Sequence, residues 1–289
     1  MANSPSHVLG TAIGGLFEDT LKYYLKDLAD ADNLFMDYQH PRIARNNKKK
    51  VTWKDNKNNS HDLDIVLEKN GSEEKLGKPV AFIEMAWRRY TKHSKNKAEE
   101  IGDVLTALNE TFSSTKPFFG AVIVGEWTRS AILQLESKGI VVAEIQYKNF
   151  VNTIKSITNI DIGTEEDTSE DDLQKKATDL VEHLSKEQNK EKVIKKIIDD
   201  NSLTLKKFKI GLQNHLQRQI AEIVVSTLYG QPKNFSDITT AVNYLNAETS
   251  PDSSLPIDHI YIMIKYNNGS EVTGRYKTVP ETIQFLNNI

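Results

Sequence analysis

The chain contains no cysteine. Disulfide bonds, thiolate zinc centres and cysteine nucleophiles are therefore excluded together. No apolar run is long enough to span a bilayer. The start, Met-Ala-Asn-Ser-Pro-Ser-His, has neither the basic residues nor the apolar stretch of a secretory signal. No Gly-x-Gly-x-x-Gly or Walker pattern occurs, so nothing points to a nucleotide cofactor, and no internal repeat is visible. What these absences leave is a cytoplasmic globular protein of 289 residues with no membrane contact. That length suits one large domain or two modest ones.

The formal net charge of −3 hides an uneven distribution. Arg42, Arg45, Lys48, Lys49, Lys50, Lys54 and Lys57 fall in one stretch against the single acid Asp55. Arg88, Arg89, Lys92, Lys95 and Lys97 form a second stretch with no acid. Residues 161–172 answer with seven acids and no base. Local positive patches of this kind are what a phosphate backbone responds to, although each alone is also compatible with a solvated loop.

Apolar spacing predicts an amphipathic helix over residues 10–29, through Ile13, Leu16, Phe17, Leu21, Leu25 and Leu28. Three strands are expected next, at Val51–Trp53, Leu63–Leu67 and Pro79–Trp87, joined as an antiparallel meander. A helix over residues 94–112 follows, then a buried strand at Phe118–Val124. A short helix ended by Gly139 leads to a strand at Ile140–Ile145, parallel to its predecessor. The acidic run 161–172 reads as a linker or exposed loop. Beyond it the pattern is helical, with one long helix expected over Leu205–Leu228, a shorter one at Ser236–Leu245, and a hairpin turning at Asn267-Asn268-Gly269-Ser270. Thr278-Val-Pro-Glu281 reads as a capping box opening a last helix.

Two acids stand out. Asp64 interrupts an apolar strand and Glu84 lies in the next one, where a carboxylate is costly to bury without a partner. If the two strands pair across the turn near Gly71, both side chains project from one face. Two converging carboxylates with water form a hard-oxygen site that Mg²⁺ accepts, and such a site can serve phosphate chemistry. Asp62 is an alternative to Asp64, on the same face. His61 and His215 read as incidental and structural, respectively.

The order helix, three strands, helix, strand, with Asp64 on one strand and Ile-Glu84-Met-Ala on the next, resembles the core of the PD-(D/E)xK nuclease superfamily, which includes most type II restriction endonucleases. The resemblance covers roughly residues 10–150. It implies an α/β fold with a restriction-endonuclease-like αβββαβ core and a mixed sheet at residues 1–160. A mainly helical region over 173–289, ending in the hairpin, would then serve specificity or dimerisation. It further implies a Mg²⁺-dependent endonuclease acting on double-stranded DNA, acting as a homodimer, with Asp64 and Glu84 on the metal and Glu18 as the acid of the first helix.

The family lysine, which positions or activates the attacking water, is replaced here by Ala86. Lys95 is the first choice to stand in for it, among Lys92, His93 and Lys97 nearby. Arg42, Arg45, Lys48, Lys49, Lys50, Arg88, Arg89, Lys92 and Lys97 are expected to hold DNA phosphates. A repair or junction-resolving nuclease, and an inactive DNA-binding module, are the alternatives.

Overall fold

In the computed structural model, which describes residues 4–165, 167–227, 231–248 and 259–289, the chain is α/β and divides into two compact units. The first comprises residues 1–107 and 118–212, the second 108–117 and 213–289. Among the described residues no helix is long and apolar enough to cross a membrane.

The first unit opens with helix α1, Pro5–Ala31, whose Ser4 cap accepts from the His7 N–H and whose buried stripe runs from Leu9 to Leu28. Strand β1, Leu34–Tyr38, follows a left-handed Asn33. The chain then makes a small separate ribbon of β2, Val51–Lys54, and β3, Ser60–Leu63. Next come β4, Ile65–Lys69, and the long β5, Lys78–Arg88. Helix α2, Ser94–Thr111, leads to β6, Phe118–Gly125. Helix α3, Arg129–Ser137, and β7, Val141–Gln146, complete the sheet. Its order is β1-β4-β5-β6-β7, mixed, with β5, β6 and β7 parallel and the others antiparallel.

Every residue of β6 is buried, as expected for a continuous apolar strand with partners on both edges. After α3 the chain turns at Gly139, with φ +77° and open space where a side chain would stand, so the glycine fits the expected helix-ending position.

Two expectations change here. Val51–Trp53 is a strand but does not belong to the main sheet; Leu34–Tyr38 takes its place beside β4. Asp37 disguised that strand, since a carboxylate in a five-residue run reads as loop until its buried partners are known. Among its described residues the acidic run is loop as far as Ser169, as expected, and only its last three residues enter a helix. Ser169 accepts from the Asp172 N–H and caps α5, Glu170–Leu184, so Glu170, Asp171 and Asp172 form a first turn that favours negative charge. After α4, Tyr147–Thr158, the helices α5 and α6, Glu187–Asp200, pack on α1. Residues 173–212 accordingly belong to the first unit.

The second unit is less helical than expected. The long helix over Leu205–Leu228 ends early: α7 stops at Leu216, and Ile220–Thr227 forms β8. Ile220, Ile223 and Val224 fit helical spacing, but the residues turned inward are Ile223 and Val225, two apart, in a β-branched run. With β9, Lys233–Phe235, the hairpin of β10, Ile260–Tyr266, and β11, Glu271–Tyr276, makes an antiparallel sheet of order β11-β10-β8-β9. Helices α8, Ile238–Glu248, and α9, Val279–Asn287, share its core through Ala241, Leu245, Phe285 and Leu286. The Thr278/Glu281 capping box forms as expected.

Candidate active site

Asp64 sits at a bend, where β3 ends and β4 begins, rather than within one continuous strand. Its carboxylate accepts a 2.6 Å hydrogen bond from the Met85 N–H of β5. Ile65 pairs with Ile83, so Asp64 and Glu84 are the next positions along the two strands, and antiparallel pairing turns such residues to one face. Glu84 is only 7% exposed. Its Oε1 is buried and has no hydrogen-bond partner.

Burial raises the pKa of Asp64, against the Met85 hydrogen bond and the Lys97 charge, which lower it. Glu84 is pushed well above the carboxylate range, first by burial and then by the charge of Asp64. Two carboxylates that disfavour each other's ionisation, one carrying a bare buried oxygen, lack positive charge at that point. Among the described residues no group of three His, Asp or Glu side chains forms a ready metal cage. The pair matches instead what Mg²⁺ asks of a protein: one or two carboxylates, with water and substrate oxygens supplying the rest.

Glu18 is half-buried on α1, and its pKa is raised first by burial and next by Asp64. Its neighbour Asp19 is taken up by Lys22 at 2.6 Å and Lys190 at 3.2 Å. The first helix thus brings Glu18 within electrostatic reach of Asp64. Asp62, the alternative to Asp64, is exposed and bound to Lys50 at 2.7 Å and Thr52 at 2.6 Å. His61 pairs with Asp55 at 3.0 Å, which caps the turn of the β2–β3 ribbon.

The lysine whose charge acts on both acids is Lys97. Its charge favours the ionised forms of both Asp64 and Glu84, and its side chain is 18% exposed. Lys95, two residues earlier, is exposed, because residues two apart on a helix point to opposite sides. Ala86 is 4% exposed and shares the Glu84 face by strand alternation, so the motif position holds a small apolar side chain. The start of α2 is held by Ser94, whose hydroxyl donates to the Thr91 carbonyl and accepts from the Thr128 N–H. Lys97 also pairs with Glu100 at 2.6 Å. Both line a cleft of about 370 Å³ with Arg88, His93 and Asn96.

The basic loop separates into buried and exposed residues. Arg42, expected on phosphate, is fully buried. It donates to Asp37 at 2.7 Å, to both oxygens of Glu68 at 2.7 and 3.0 Å, and to the Ser72 and Lys75 carbonyls. Arg45 is 8% exposed and is spent on Asp37 and the carbonyls of Tyr38, His40, Lys48 and Lys50. Neither can reach a phosphate; they fold the loop. Lys48, Lys49 and Lys50 remain exposed, Lys50 in its pair with Asp62.

In the second patch Arg89 donates to the Glu165 carbonyl and lies over the Tyr90 ring, at 4.7 Å. Lys92 is exposed, 5.7 Å from the same ring. Arg88 is half-buried at the end of β5. Gly125 lies against that end with φ +111°, and a side chain there would fall 1.9 Å from the Arg88 carbonyl. Glu100 had no signal in the sequence beyond its place one turn after Lys97.

Comparison with known proteins adds no relative: no family model, no curated protein and no solved structure matches the chain.

Proposed function

We propose that this chain is a Mg²⁺-dependent endonuclease that hydrolyses phosphodiester bonds in duplex DNA, of the restriction type. The observation that carries the reading is Glu84, a buried carboxylate with a bare oxygen opposite Asp64 and within the field of Lys97. The succession of α1, β1, β4, β5, α2 and β6 supports it, being the order that the PD-(D/E)xK core has.

Asp64 and Glu84 would hold the metal, with Glu18 orienting a water beside them. When bound, Mg²⁺ lowers the pKa of a water and offsets charge gathering on the phosphate. Lys97 takes the part that the resemblance assigns to the motif lysine, directing a water or a phosphate oxygen from α2 instead of from β5. The Met85 N–H fixes the Asp64 carboxylate, so that pair is set before substrate arrives. Lys48, Lys49 and Lys92 hold the phosphate backbone from the surface, which makes binding salt-dependent. One acid pair cuts one strand, so cutting both calls for two copies on a two-fold axis.

The test is incubation of unmethylated plasmid DNA with the protein, with and without Mg²⁺, for wild type and Glu84→Ala. Discrete fragments from wild type alone, and only with metal, are the expected result. Cutting confined to branched or damaged DNA moves the assignment to repair. DNA binding with no metal-dependent cutting of any substrate ends the nuclease reading in favour of an inactive module, the alternative that Ala86 favours.

A further inference from the structure

The cleft beside the acid pair is lined by two cations, Arg88 and Lys97, together with His93, Asn96 and Glu100, and its volume of about 370 Å³ leaves room for a phosphate group with several waters. The guanidinium of Arg88 donates one hydrogen bond, to the Trp87 carbonyl, and makes no ion pair among the described residues. A half-buried guanidinium with donors to spare matches the forked geometry of phosphate oxygens. Lys97 is already matched, by Glu100 at 2.6 Å.

Glu100 is oddly placed for a stabilising residue. Its carboxylate pairs with Lys97, its charge acts on Arg88, and it disfavours ionisation of both Asp64 and Glu84. It is therefore an anion paired with one cation of the cleft and within the field of the other and of both acids, the same charges that a phosphate bound there would meet. Its side chain is 62% exposed and free to swing outward.

We propose that this cleft is a phosphate subsite and that the Glu100 carboxylate holds the phosphate's place at rest, leaving Lys97 when a phosphate binds to Arg88 and Lys97. The phosphate's identity as part of a nucleic acid rests on the nuclease reading above; the subsite itself does not. Magnitudes favour the exchange. A solvent-exposed ion pair is worth about fivefold in an equilibrium at most. A bidentate bond between arginine and phosphate, with a second cation beside it, is worth about tenfold or more. Glu100 thus offsets one of the cleft's two positive charges and keeps Lys97 in position, and its competition with a phosphate costs at most about fivefold in affinity.

The test is titration of the full chain with inorganic phosphate in the absence of divalent metal, by calorimetry. Wild type, Glu100→Gln, Arg88→Gln and Arg88→Lys are compared, each first shown to be folded by thermal unfolding. Saturable binding by wild type is expected, about threefold to fivefold tighter in Glu100→Gln. It should be about tenfold weaker in Arg88→Gln and intermediate in Arg88→Lys, which keeps the charge and loses the fork. Absent binding, or affinities indifferent to both positions, would overturn the subsite. A parallel Mg²⁺ titration separates the other role open to this carboxylate. Glu100→Gln should bind Mg²⁺ at least as well as wild type, and loss of Mg²⁺ binding would make Glu100 a metal ligand and overturn its role as a stand-in for phosphate. Phosphate results as expected, from a protein that cuts no DNA, keep the subsite and remove the nuclease reading. Metal-dependent cutting with phosphate affinities indifferent to Glu100 and Arg88 does the reverse.

Discussion

The Asp64 carboxylate accepts its 2.6 Å hydrogen bond from the backbone of Met85, the residue that directly follows Glu84. That bond pins the β3–β4 bend to β5 and keeps one acid beside the other. The arrangement costs stability whenever both are charged. Glu84 has a raised pKa in the fold, so its contribution is fully present below its ordinary value of 4.5 and is lost as pH rises through the folded value. Glu84→Gln should therefore match wild type in thermal stability near pH 4 and exceed it at pH 8, by at least about 2 °C without metal. Mg²⁺ should raise the melting temperature of wild type and leave that of Glu84→Gln in place, because mass action stabilises only a fold that binds. A variant no more stable than wild type at pH 8 would contradict the cost assigned to the charged pair.

Lys97 and Lys95 give a sharper contrast. The Lys97 charge lowers the pKa of both acids, and Lys95 is exposed. Lys97→Met should reduce Mg²⁺-dependent cleavage by about a hundredfold or more, the scale of losing one well-placed donor. Removing a cation raises the pKa of nearby carboxylates, so the acid limb of the pH–rate profile should also move to higher pH. Lys95→Met should leave rate and profile near wild type. The reverse ranking in a cleavage assay would return the role to Lys95.

Arg42 and Lys49 sit in one basic loop and should fail differently. Arg42 is fully buried between Asp37 and Glu68, so Arg42→Met leaves the buried Glu68 carboxylate without a cation and Asp37 with Arg45 alone. The expected loss is roughly 3–5 kcal/mol of stability, read from urea unfolding. Lys49 is exposed, and Lys49→Ala should leave unfolding unchanged. For DNA binding it should lower the slope of log affinity against log salt by about 0.9, one phosphate contact. An Arg42 variant of normal stability and weakened DNA binding would show that the loop had been read the wrong way round.

The same pair of residues shows what could be read in advance. Long apolar periodicities were legible: α1, β5, β6 and the β10–β11 hairpin stand where their spacing puts them, because burial on a stripe or alternate face dictates the residue types. Asp64 and Glu84 were legible for the opposite reason, as carboxylates in apolar surroundings that demand an explanation. Arg42 was not. A basic residue in a basic run looks solvated until Asp37, five residues earlier, and Glu68, twenty-six residues later, are brought around it. Lys95 and Lys97 differ by the rotation of α2, whose buried stripe of Ala98, Ile101, Leu105 and Leu108 leaves Lys97 half-buried and Lys95 exposed. The helix expected through Leu228 failed because β8 carries an apolar set that fits both periods.

His215, at the end of α7, extends the pH argument to the second unit. Burial, followed by the adjacent Arg218 charge, pushes its pKa down to about 4, against a hydrogen bond with the Lys116 carbonyl that favours the charged form. Arg218 itself donates to the Lys116 and Thr115 carbonyls and lies 4.5 Å over the Tyr266 ring, so the charge beside the imidazole is fixed in place. The fold therefore holds the ring neutral, and its contribution is intact above the ordinary value of 6.5. As pH falls the unfolded chain takes up a proton that the fold refuses, and stability drops between 6.5 and about 4 before levelling. The loss attributable to this one group is of the order of 3 kcal/mol. His215→Gln places an amide nitrogen near the position of the ring Nε2 that meets the Lys116 carbonyl, and it has no proton to take up. Urea unfolding of the full chain from pH 8 to pH 4 should show a shallower acid decline in His215→Gln than in wild type, with the difference confined to that window. Parallel pH curves for the two proteins would assign the decline to other groups.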